Sequence, residues 1–386
     1  MYDFGRIFDR CGTDCMKWDR MKTQYGREDM ISLGIADMDF AVMPEITETL
    51  VKRAQHPSYG YTYASDAYYQ NIIDWNKRRN GLAIRRSEIL SIPGVVCANA
   101  FIEAALTKPG DQIMVLTPVY DPFFRVIEAQ GRRIVRVSLT KNNGRYEMDY
   151  DAIDQKMSEG VRMFVLCNPQ NPTGRVWEKA ELERLAELCK KHDVIVFSDD
   201  IHADIIMPGS HYQPFIGISE DAAMRTVCAM APSKTFNIAG LKSSFVISKN
   251  PELLNKVQKE AEAFDVGVDL FGYAATEMAY ACGDRYVDEL CAYLYENEKL
   301  TVQFMDEQLP DLKAYVPEGT YLMWVDCRGL GLSMEALMKK LCDAGVQPND
   351  GARYGAEGDG FIRLNIGTQR SRLLEALDRM KTALSK

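Results

Sequence analysis

The chain has 386 residues, of which 46% are hydrophobic and 26% are charged, and its formal net charge is −9. This is the composition of a globular protein, which excludes a disordered, collagen-like or low-complexity chain. An acidic chain without a basic stripe is a poor candidate for binding nucleic acids. The length exceeds what a single hydrophobic core usually supports, so we expect two to three folding units.

The N-terminal residues carry charges throughout and contain no apolar stretch of signal-peptide length. No segment approaches the roughly 20 apolar residues of a membrane helix. The ten cysteines are scattered from Cys11 to Cys342, and neither a CxxC pair nor a Cys–His cluster occurs. This pattern is typical of reduced thiols and predicts neither disulfides nor a metal site. We therefore expect a soluble cytoplasmic protein that acts without a metal or a membrane.

Short apolar runs alternate with amphipathic segments from about residue 90 onwards. The runs are rich in Val, Ile and Leu and are predicted as strands at Gln112–Leu116, Arg133–Val137, Arg162–Cys167, Val194–Ser198, Thr226–Met230 and Ser244–Ile247. Between two of them, Glu178–Lys191 has an apolar stripe of helical period. The alternation predicts an α/β fold around a mostly parallel central sheet flanked by helices.

The pattern changes after about residue 250. Longer helical stretches and shorter mixed elements are predicted at Tyr273–Cys282, Tyr286–Glu307, Thr320–Asp326, Met334–Ala344 and Phe361–Ile366. We expect a large α/β domain over residues 45–285. A smaller α+β domain is expected to combine residues 1–44 with residues 286–386.

Polar side chains follow three of the predicted strands, in the loops Asn168–Gly174, Asp199–His202 and Pro232–Thr235. Ligands of open α/β sheets bind beyond the carboxyl ends of the strands, so we expect these loops to meet. A partly buried lysine there, Lys234, would have a lowered pKa and could bind an aldehyde, and an acid could hold a protonated pyridine nitrogen. Backbone N–H groups of Pro93–Asn99, before an apolar helix, could bind a phosphate.

Each of these residues also has an ordinary structural interpretation. Lys234 could be a solvated surface lysine, and the two Asn-Pro pairs could simply form turns. Asp199 and Asp200 could cap a following helix, and His202 could be a hydrogen-bonded core histidine. Gly94 alone is a weak phosphate signal. Their order and their positions after strands favour a shared cofactor site.

Nine segments carry a family resemblance: Gly12–Asp14, Lys17–Asp19, Ala36–Phe40, Gly60–Thr62, Pro118–Phe123, Asn168–Gly174, Asp199–His202, Ser233–Leu241 and Arg363–Asn365. Together they resemble the fold-type I pyridoxal-phosphate (PLP) enzymes of the class I/II aminotransferase group. Within that group the chain is similar to the MalY/PatB family of carbon–sulfur β-lyases, often labelled cystathionine β-lyases. The resemblance implies a PLP transferase-like fold and pyridoxal 5′-phosphate as the cofactor.

The resemblance also implies roles for residues around the cofactor ring. Lys234 would bind the cofactor covalently and later move the substrate Cα proton. Asp199 would pair with the pyridinium nitrogen. Asn171 and His202 would lie beside the phenolic oxygen, His202 standing where other aminotransferases carry a tyrosine. Tyr120 would stack on the ring face.

Further residues are implied at the phosphate and at the substrate carboxylate. The phosphate would be bound near Gly94, Val95, Ser233 and Lys242. Tyr61 would reach the cofactor phosphate of a neighbouring subunit, which implies a homodimer. Alternatively, the run from Tyr59 to Tyr63 could be an aromatic strand or a packing patch. Arg363 would clamp the substrate α-carboxylate, although it could equally be a surface arginine on an edge strand.

Two departures from the family pattern are Gln170, where the family usually has His, and Asp200, where it usually has Glu. The motifs alone do not choose between β-elimination and transamination, because both begin with removal of the Cα proton. The resemblance favours β-elimination from L-cystathionine or another cysteine S-conjugate. An aminotransferase is the alternative, and a PLP-binding regulatory protein is a third. We expect residues near Ala36–Phe40 and Val266–Gly272 to line the substrate side-chain pocket.

Overall fold

The computed structural model describes residues 1–142 and 144–385; Asn143 and Lys386, which fall within the two predicted domain ranges, lie outside the described residues. The helices are α1 (Arg20–Tyr25), α2 (Pro44–Ala54), α3 (Asp66–Asn80), α4 (Val95–Leu106), α5 (Pro122–Ala129), α6 (Tyr150–Ser158), α7 (Lys179–Lys191), α8 (Glu220–Arg225), α9 (Pro251–Glu262), α10 (Leu270–Cys282), α11 (Asp284–Gln308), α12 (Met334–Asp343) and α13 (Arg370–Leu384). The strands are β1 (Ile31–Ser32), β2 (Ile89–Ile92), β3 (Gln112–Thr117), β4 (Arg133–Ser138), β5 (Thr140–Asn142), β6 (Arg145–Glu147), β7 (Val161–Cys167), β8 (Ile195–Asp199), β9 (Thr226–Met230), β10 (Ser244–Ile247), β11 (Leu322–Asp326), β12 (Val346–Gln347), β13 (Asn349–Asp350) and β14 (Phe361–Asn365).

A seven-stranded sheet forms the centre of the fold, with the order β2-β10-β9-β8-β7-β3-β4. The pairs from β9 to β4 are parallel, whereas β10 is antiparallel to both of its neighbours. The predicted mostly parallel sheet is therefore confirmed, and each of its six predicted strands is present. The four-residue strand β2 was not predicted.

The central strands are buried on both faces because their side chains alternate between two helical layers. Ile113 and Val115 of β3 pack in one apolar cluster with residues of α4, α5 and α9. Met114 and Leu116 of the same strand pack in another with residues of α6 and α7. This double coverage explains why the strands appear in the sequence as continuous apolar runs.

Helix α7 shows how the predicted amphipathic pattern becomes structure. It begins after Glu178, whose N–H donates to the Glu181 carboxylate at 2.8 Å. Its buried face consists of Leu182, Leu185, Ala186 and Cys189, the stripe that the sequence indicates. The side-chain bond satisfies a backbone donor that has no partner within the first turn of a helix.

The C-terminal part of the chain forms a separate antiparallel sheet with the order β11-β14-β13. The N-terminal segment joins this part, because β1 pairs in parallel with β12 through Ile31 and Val346. Helices α9 and α13 were not predicted as individual elements. Within residues 1–142 and 144–385, no helix is long and apolar enough to cross a membrane.

Candidate active site

The loops that follow β7, β8 and β9 leave the same edge of the central sheet. The N–H of Asn168 donates to the carbonyl oxygen of Asp199 at 3.0 Å. The N–H of Asp200 donates in turn to the carbonyl oxygen of Ala229 at 2.9 Å. Parallel strands end at a common edge, and these bonds extend the pairing just beyond it. The three polar loops therefore meet at one place.

Lys234 follows β9 and is partly buried in a cleft at this edge. Its Nζ donates to the carbonyl oxygen of Ala36 at 2.5 Å. Burial lowers the pKa of Lys234 to about 8, and the Arg363 guanidinium adds to the effect, while Asp37 and Asp199 oppose it. A lysine with such a pKa is partly a free amine near neutral pH, which makes it a nucleophile and a base. The surface-lysine interpretation is wrong.

Asp199 ends β8 and is buried. Its Oδ1 accepts from the N–H of Ile201 at 3.2 Å. Burial raises the pKa of Asp199 to about 7, with a further contribution from Asp200. The helix-cap interpretation is wrong, because residues 201–204 form turns instead of a helix. A positively charged partner would stabilise the ionised form of this carboxyl.

His202 is buried beside Tyr321, with ring centroids 5.9 Å apart. Burial lowers the pKa of His202 to about 3, and the cations Lys234 and Arg363 act in the same direction. The ring is therefore neutral at pH 7. Its Nδ1 is buried without a hydrogen-bond partner in the part of the chain that the structure describes. A fully hydrogen-bonded core histidine would not leave this atom unpaired.

Arg363 lies on β14, the middle strand of the three-stranded sheet, and is only 2% exposed. Its Nη2 donates to the carbonyl oxygen of Gly34 at 2.6 Å, and its Nη1 donates to Oδ1 of Asn171 at 3.2 Å. No carboxylate pairs with Arg363 within residues 1–142 and 144–385. A buried, uncompensated guanidinium at a cleft is suited to a substrate carboxylate. The interpretation as a surface arginine on an edge strand is wrong.

The N-terminus of α4 follows Gly94, whose φ is +96°. The N–H of Gly94 donates to Oγ of Ser244 at 3.0 Å, which fixes this turn against the start of β10. The N–H groups in the first turn of a helix, beginning at Val95, have no carbonyl partner inside the helix. Such groups favour an anion such as phosphate.

Tyr120, Ser233 and Lys242 flank this edge of the sheet. Tyr120 follows β3 and lines the cleft, and burial raises its pKa to about 12, so the phenol is neutral. Ser233 is partly buried next to Lys234. Lys242 is exposed, lines the cleft and lies two residues before β10, with a left-handed backbone at φ +49°.

Tyr61 lies apart from these residues. It is fully exposed in the single chain, and so is most of Tyr63. Residues 59–65 form neither a helix nor a strand, so the aromatic-strand interpretation is wrong. The single chain does not bring Tyr61 into the site.

The cleft has a volume of about 1230 Å³ and contains Tyr120, Lys234, Lys242 and Arg363 in its wall. Ala36 and Phe40 also line it, as the sequence predicted, but the residues of Val266–Gly272 are not among its described lining residues. Asp37, which belongs to the predicted Ala36–Phe40, lines the cleft too, whereas the sequence missed Arg10, Gln347, Asn349 and Tyr354. None of these four residues belongs to a quoted motif, so no local signal could have found them.

Gln170 and Asp200, the two departures from the family pattern, are both 1% exposed. Gln170 donates through Nε2 to the carbonyl oxygen of Pro118 at 3.0 Å. Asp200 accepts from Ser198 and Tyr212, each at 2.6 Å. Neither residue is among those that line the described cleft. Their hydrogen bonds instead stabilise the loops that carry Asn171 and Asp199.

These observations test whether PLP fits the site. Asp199 is a buried carboxyl that forms no ion pair among the described residues, and a protonated pyridine nitrogen would supply a partner. His202 has an orphaned ring nitrogen, and the start of α4 offers unpaired N–H groups for a phosphate. Lys234 has a lowered pKa, as binding of an aldehyde requires. The residues present fit the cofactor.

Comparisons with known proteins agree with this geometry. The family model described as aminotransferase class I and II matches residues 28–380. The cystathionine beta-lyase PatB of Bacillus subtilis is 37% identical over 99% of this chain and 100% of that protein. Protein MalY of Escherichia coli is 32% identical over 97% of this chain and 96% of that protein.

Two solved structures are similar over the whole chain. A PLP-bound putative aminotransferase from Clostridium difficile has a TM-score of 0.97 and 39% identity, covering 100% of both chains. Cystalysin from Treponema denticola, which contains pyridoxal 5′-phosphate, has a TM-score of 0.97 and 34% identity, covering 100% of this chain and 99% of that one. The fold is thus that of the fold-type I PLP enzymes, and the chain belongs to the class I and II aminotransferase family and, within it, to the family of PatB and MalY.

Proposed function

We propose that this protein is a PLP-dependent carbon–sulfur β-lyase that acts on L-cystathionine or related cysteine S-conjugates. The reaction breaks the Cβ–S bond and consumes one water, giving a thiol, pyruvate and ammonia. One observation carries the proposal: Lys234 lines a single cleft with the uncompensated Arg363, and both Arg363 and the buried Asp199 are close enough to Lys234 to influence its pKa. The names of PatB and cystalysin support elimination as the reaction.

PLP, when bound, supplies an electron sink that acidifies the substrate Cα proton. Lys234 is the residue we assign to holding the cofactor and to moving this proton. Asp199 would keep the ring nitrogen protonated, and Arg363 would hold the α-carboxylate through its two terminal nitrogens. Asn171, which already accepts from Arg363, would connect carboxylate binding to the cofactor ring.

The remaining assignments concern the edges of the cofactor. His202 would lie beside the phenolic oxygen, and Tyr120 would cover one ring face. Gly94, Val95, Ser233 and Lys242 would surround the phosphate, with the α4 N-terminus as its main donor. All of these residues follow or precede strands at one edge of the central sheet.

We further propose a homodimer in which Tyr61 completes the phosphate site of the neighbouring subunit. The exposure of Tyr61 in the single chain supports this assignment, because a large exposed aromatic group commonly marks an interface. Separate sheets support the predicted division into residues 45–285 and residues 1–44 with 286–386. The ten free cysteines among the described residues support a reducing, cytoplasmic location.

The proposal is tested with purified protein and its visible absorption spectrum. We expect an absorption band of lysine-bound PLP, and release of pyruvate and free thiol after L-cystathionine is added. The Lys234→Ala variant should lose the band and both products. A band with no pyruvate, but with conversion of an amino acid and 2-oxoglutarate, would establish the alternative instead.

That alternative is an aminotransferase, which the matching family model and the name of the Clostridium difficile structure favour. The wall of the cleft does not distinguish the two reactions, since both need Lys234, Asp199 and Arg363. A PLP-binding regulatory protein is the third candidate. Such a protein would keep a partner bound in the Lys234→Ala variant. The unsubstituted protein would show negligible β-elimination and negligible transamination.

A further inference from the structure

One short backbone segment, residues 34–39, touches both of the central site residues. The carbonyl oxygen of Gly34 accepts from Arg363, and the carbonyl oxygen of Ala36 accepts from Lys234. The hydroxyl of Tyr321 donates to the same Ala36 oxygen at 3.0 Å. The segment therefore sets the separation between the lysine amine and the carboxylate-binding guanidinium.

Asp39 anchors the far end of this segment. Its side chain is 1% exposed and accepts hydrogen bonds from three different side chains. Arg10 donates at 2.7 Å, Lys17 at 2.9 Å and the indole nitrogen of Trp18 at 2.9 Å. Charge-assisted bonds of this kind are the strong ones, and a carboxylate with three donors has little freedom to move.

The donors to Asp39 also bind the segment directly. Nζ of Lys17 donates to the carbonyl oxygen of Asp37 at 3.1 Å, although the Lys17 side chain is itself fully buried. Arg10 donates to the carbonyl oxygen of Met38 at 2.9 Å and to the Asp37 carboxylate at 2.5 Å. Burial of a lysine ammonium costs free energy unless the charge is paired. The cluster around Asp39 is therefore not a chance grouping of solvated surface charges.

We propose that Asp39 is a positioning residue: with Lys17, Arg10 and Trp18 it fixes residues 34–39 so that Lys234 and Arg363 are held at the spacing that Cα proton transfer requires. Asp39 acts through the Gly34 and Ala36 carbonyls. The inference rests on the proposed PLP-dependent function, but it applies to elimination and transamination alike, since both begin at Cα.

The experiment compares Asp39→Asn with Asp29→Asn. Asp29 is a matched control because it also pairs with an arginine, Arg27, in the N-terminal segment, but its side chain is 61% exposed. The first readout is exchange of the Cα hydrogen of L-alanine for solvent deuterium, followed by NMR and divided by the bound PLP measured from absorbance. This reaction needs Lys234 but no leaving group, so it is independent of β-elimination.

The second readout is backbone amide hydrogen exchange of residues 34–40 in the cofactor-free protein, measured by mass spectrometry. We expect Asp39→Asn to expose these amides faster and to slow Cα exchange about 10- to 100-fold, the effect of a displacement near 1 Å. Asp29→Asn should change neither. Trp18→Phe removes one donor to Asp39 and keeps the ion pairs, so it provides a milder variant if Asp39→Asn does not fold.

The outcomes separate this inference from the proposed function. Unchanged Cα exchange in Asp39→Asn or Trp18→Phe, despite faster amide exchange, would overturn the positioning role and leave only a structural one. Slower Cα exchange with unchanged amide protection would also overturn it, because residues 34–39 would then not transmit the effect of Asp39 to Lys234 and Arg363. An unsubstituted protein that exchanges the Cα hydrogen but releases no pyruvate would instead refute the β-lyase proposal.

Discussion

Arg363 has an unusual environment for an arginine. It is 2% exposed, yet among the described residues its terminal nitrogens donate hydrogen bonds only to the Gly34 carbonyl and the Asn171 amide oxygen. Burial of a guanidinium without a carboxylate partner is unfavourable unless a ligand supplies the negative charge. The site is therefore prepared for an anionic group.

This environment leads to a prediction for Arg363→Lys. An ammonium cannot form two parallel bonds to a carboxylate, so we expect KM for L-cystathionine to rise about 10- to 100-fold. Steady-state kinetics measures this change. Arg353→Lys is the control, because Arg353 also lines the cleft but its side chain is 60% exposed and is paired with Asp121. Equal effects of the two substitutions would contradict the assignment.

The candidate site residues were predicted from motifs, but the contacts of their side chains were not. Lys234, Asp199 and Asn171 stand in recognisable loops after apolar strands, which places them at one edge of a sheet. The carbonyl that Lys234 touches belongs to Ala36, 198 positions earlier in the chain. No local pattern encodes such a contact, because it depends on how the N-terminal segment crosses the cleft.

At the scale of elements, the turn from β2 into α4 determines the proposed phosphate site. Gly94 has φ +96° and ψ 143°, a region that residues with a side chain adopt only at a cost of about 1–3 kcal/mol. A Cβ at this position would meet nothing within 4 Å. Substitution there would therefore act through the backbone alone.

We expect Gly94→Ala to weaken PLP binding about tenfold, because the first N–H groups of α4 would turn away from the phosphate. Titration of cofactor-free protein with PLP measures the dissociation constant. Gly81→Ala is a matched control: Gly81 also has a positive φ, +63°, and open space around a Cβ, but it ends α3. If both variants bound PLP equally well, α4 would not be the phosphate site.

Helix α4 also carries a buried carboxyl, Glu103, whose two oxygens have no hydrogen-bond partner among the described residues. Burial raises its pKa to about 8. The folded protein thus retains a proton that the unfolded chain releases above about pH 4.5, so the free energy of unfolding falls as pH rises between these values. The loss is about 1.4 kcal/mol per pH unit.

Glu103→Gln should remove this slope. Relative to that of the unsubstituted protein, we expect the free energy of unfolding of the variant to increase by about 4 kcal/mol between pH 5 and pH 8. Urea unfolding of the cofactor-free protein across this range provides the measurement. Glu187→Gln, at an exposed position of α7, should keep the original pH dependence. If the difference in the free energy of unfolding between Glu103→Gln and the parent did not change with pH, Glu103 would be ionised in the folded protein over this range.

Helices and strands were predictable where the apolar pattern of a segment matches its burial in the fold. Strands such as β7 and β9 are buried along almost all of their length and are therefore mainly apolar. β2 was missed because its four residues, with burial only at the ends, carry too little pattern. The central place of β14, which buries Arg363, depends on pairing with β11 and β13 and is not visible in the strand itself.

At the scale of the whole molecule, three tyrosines near residue 60 are exposed in the single chain and lie outside the described cleft. Tyr59, Tyr61 and Tyr63 are all more than half exposed. An exposed aromatic cluster of this kind commonly marks a protein interface. In the proposed homodimer, Tyr61 would reach the cofactor phosphate of the neighbouring subunit.

Subunit mixing tests this arrangement directly. Lys234→Ala and Tyr61→Ala homodimers should each be nearly inactive, since each has a defect in both sites. A mixed dimer would contain one site with both defects and one site with neither, because Lys234 and Tyr61 of a given site come from different chains. We expect pyruvate release to recover to as much as half of the parent value per mixed dimer, measured after refolding and purifying differently tagged chains. If both residues of a site came from the same chain, every site in the mixed dimer would retain one defect and activity would stay at background.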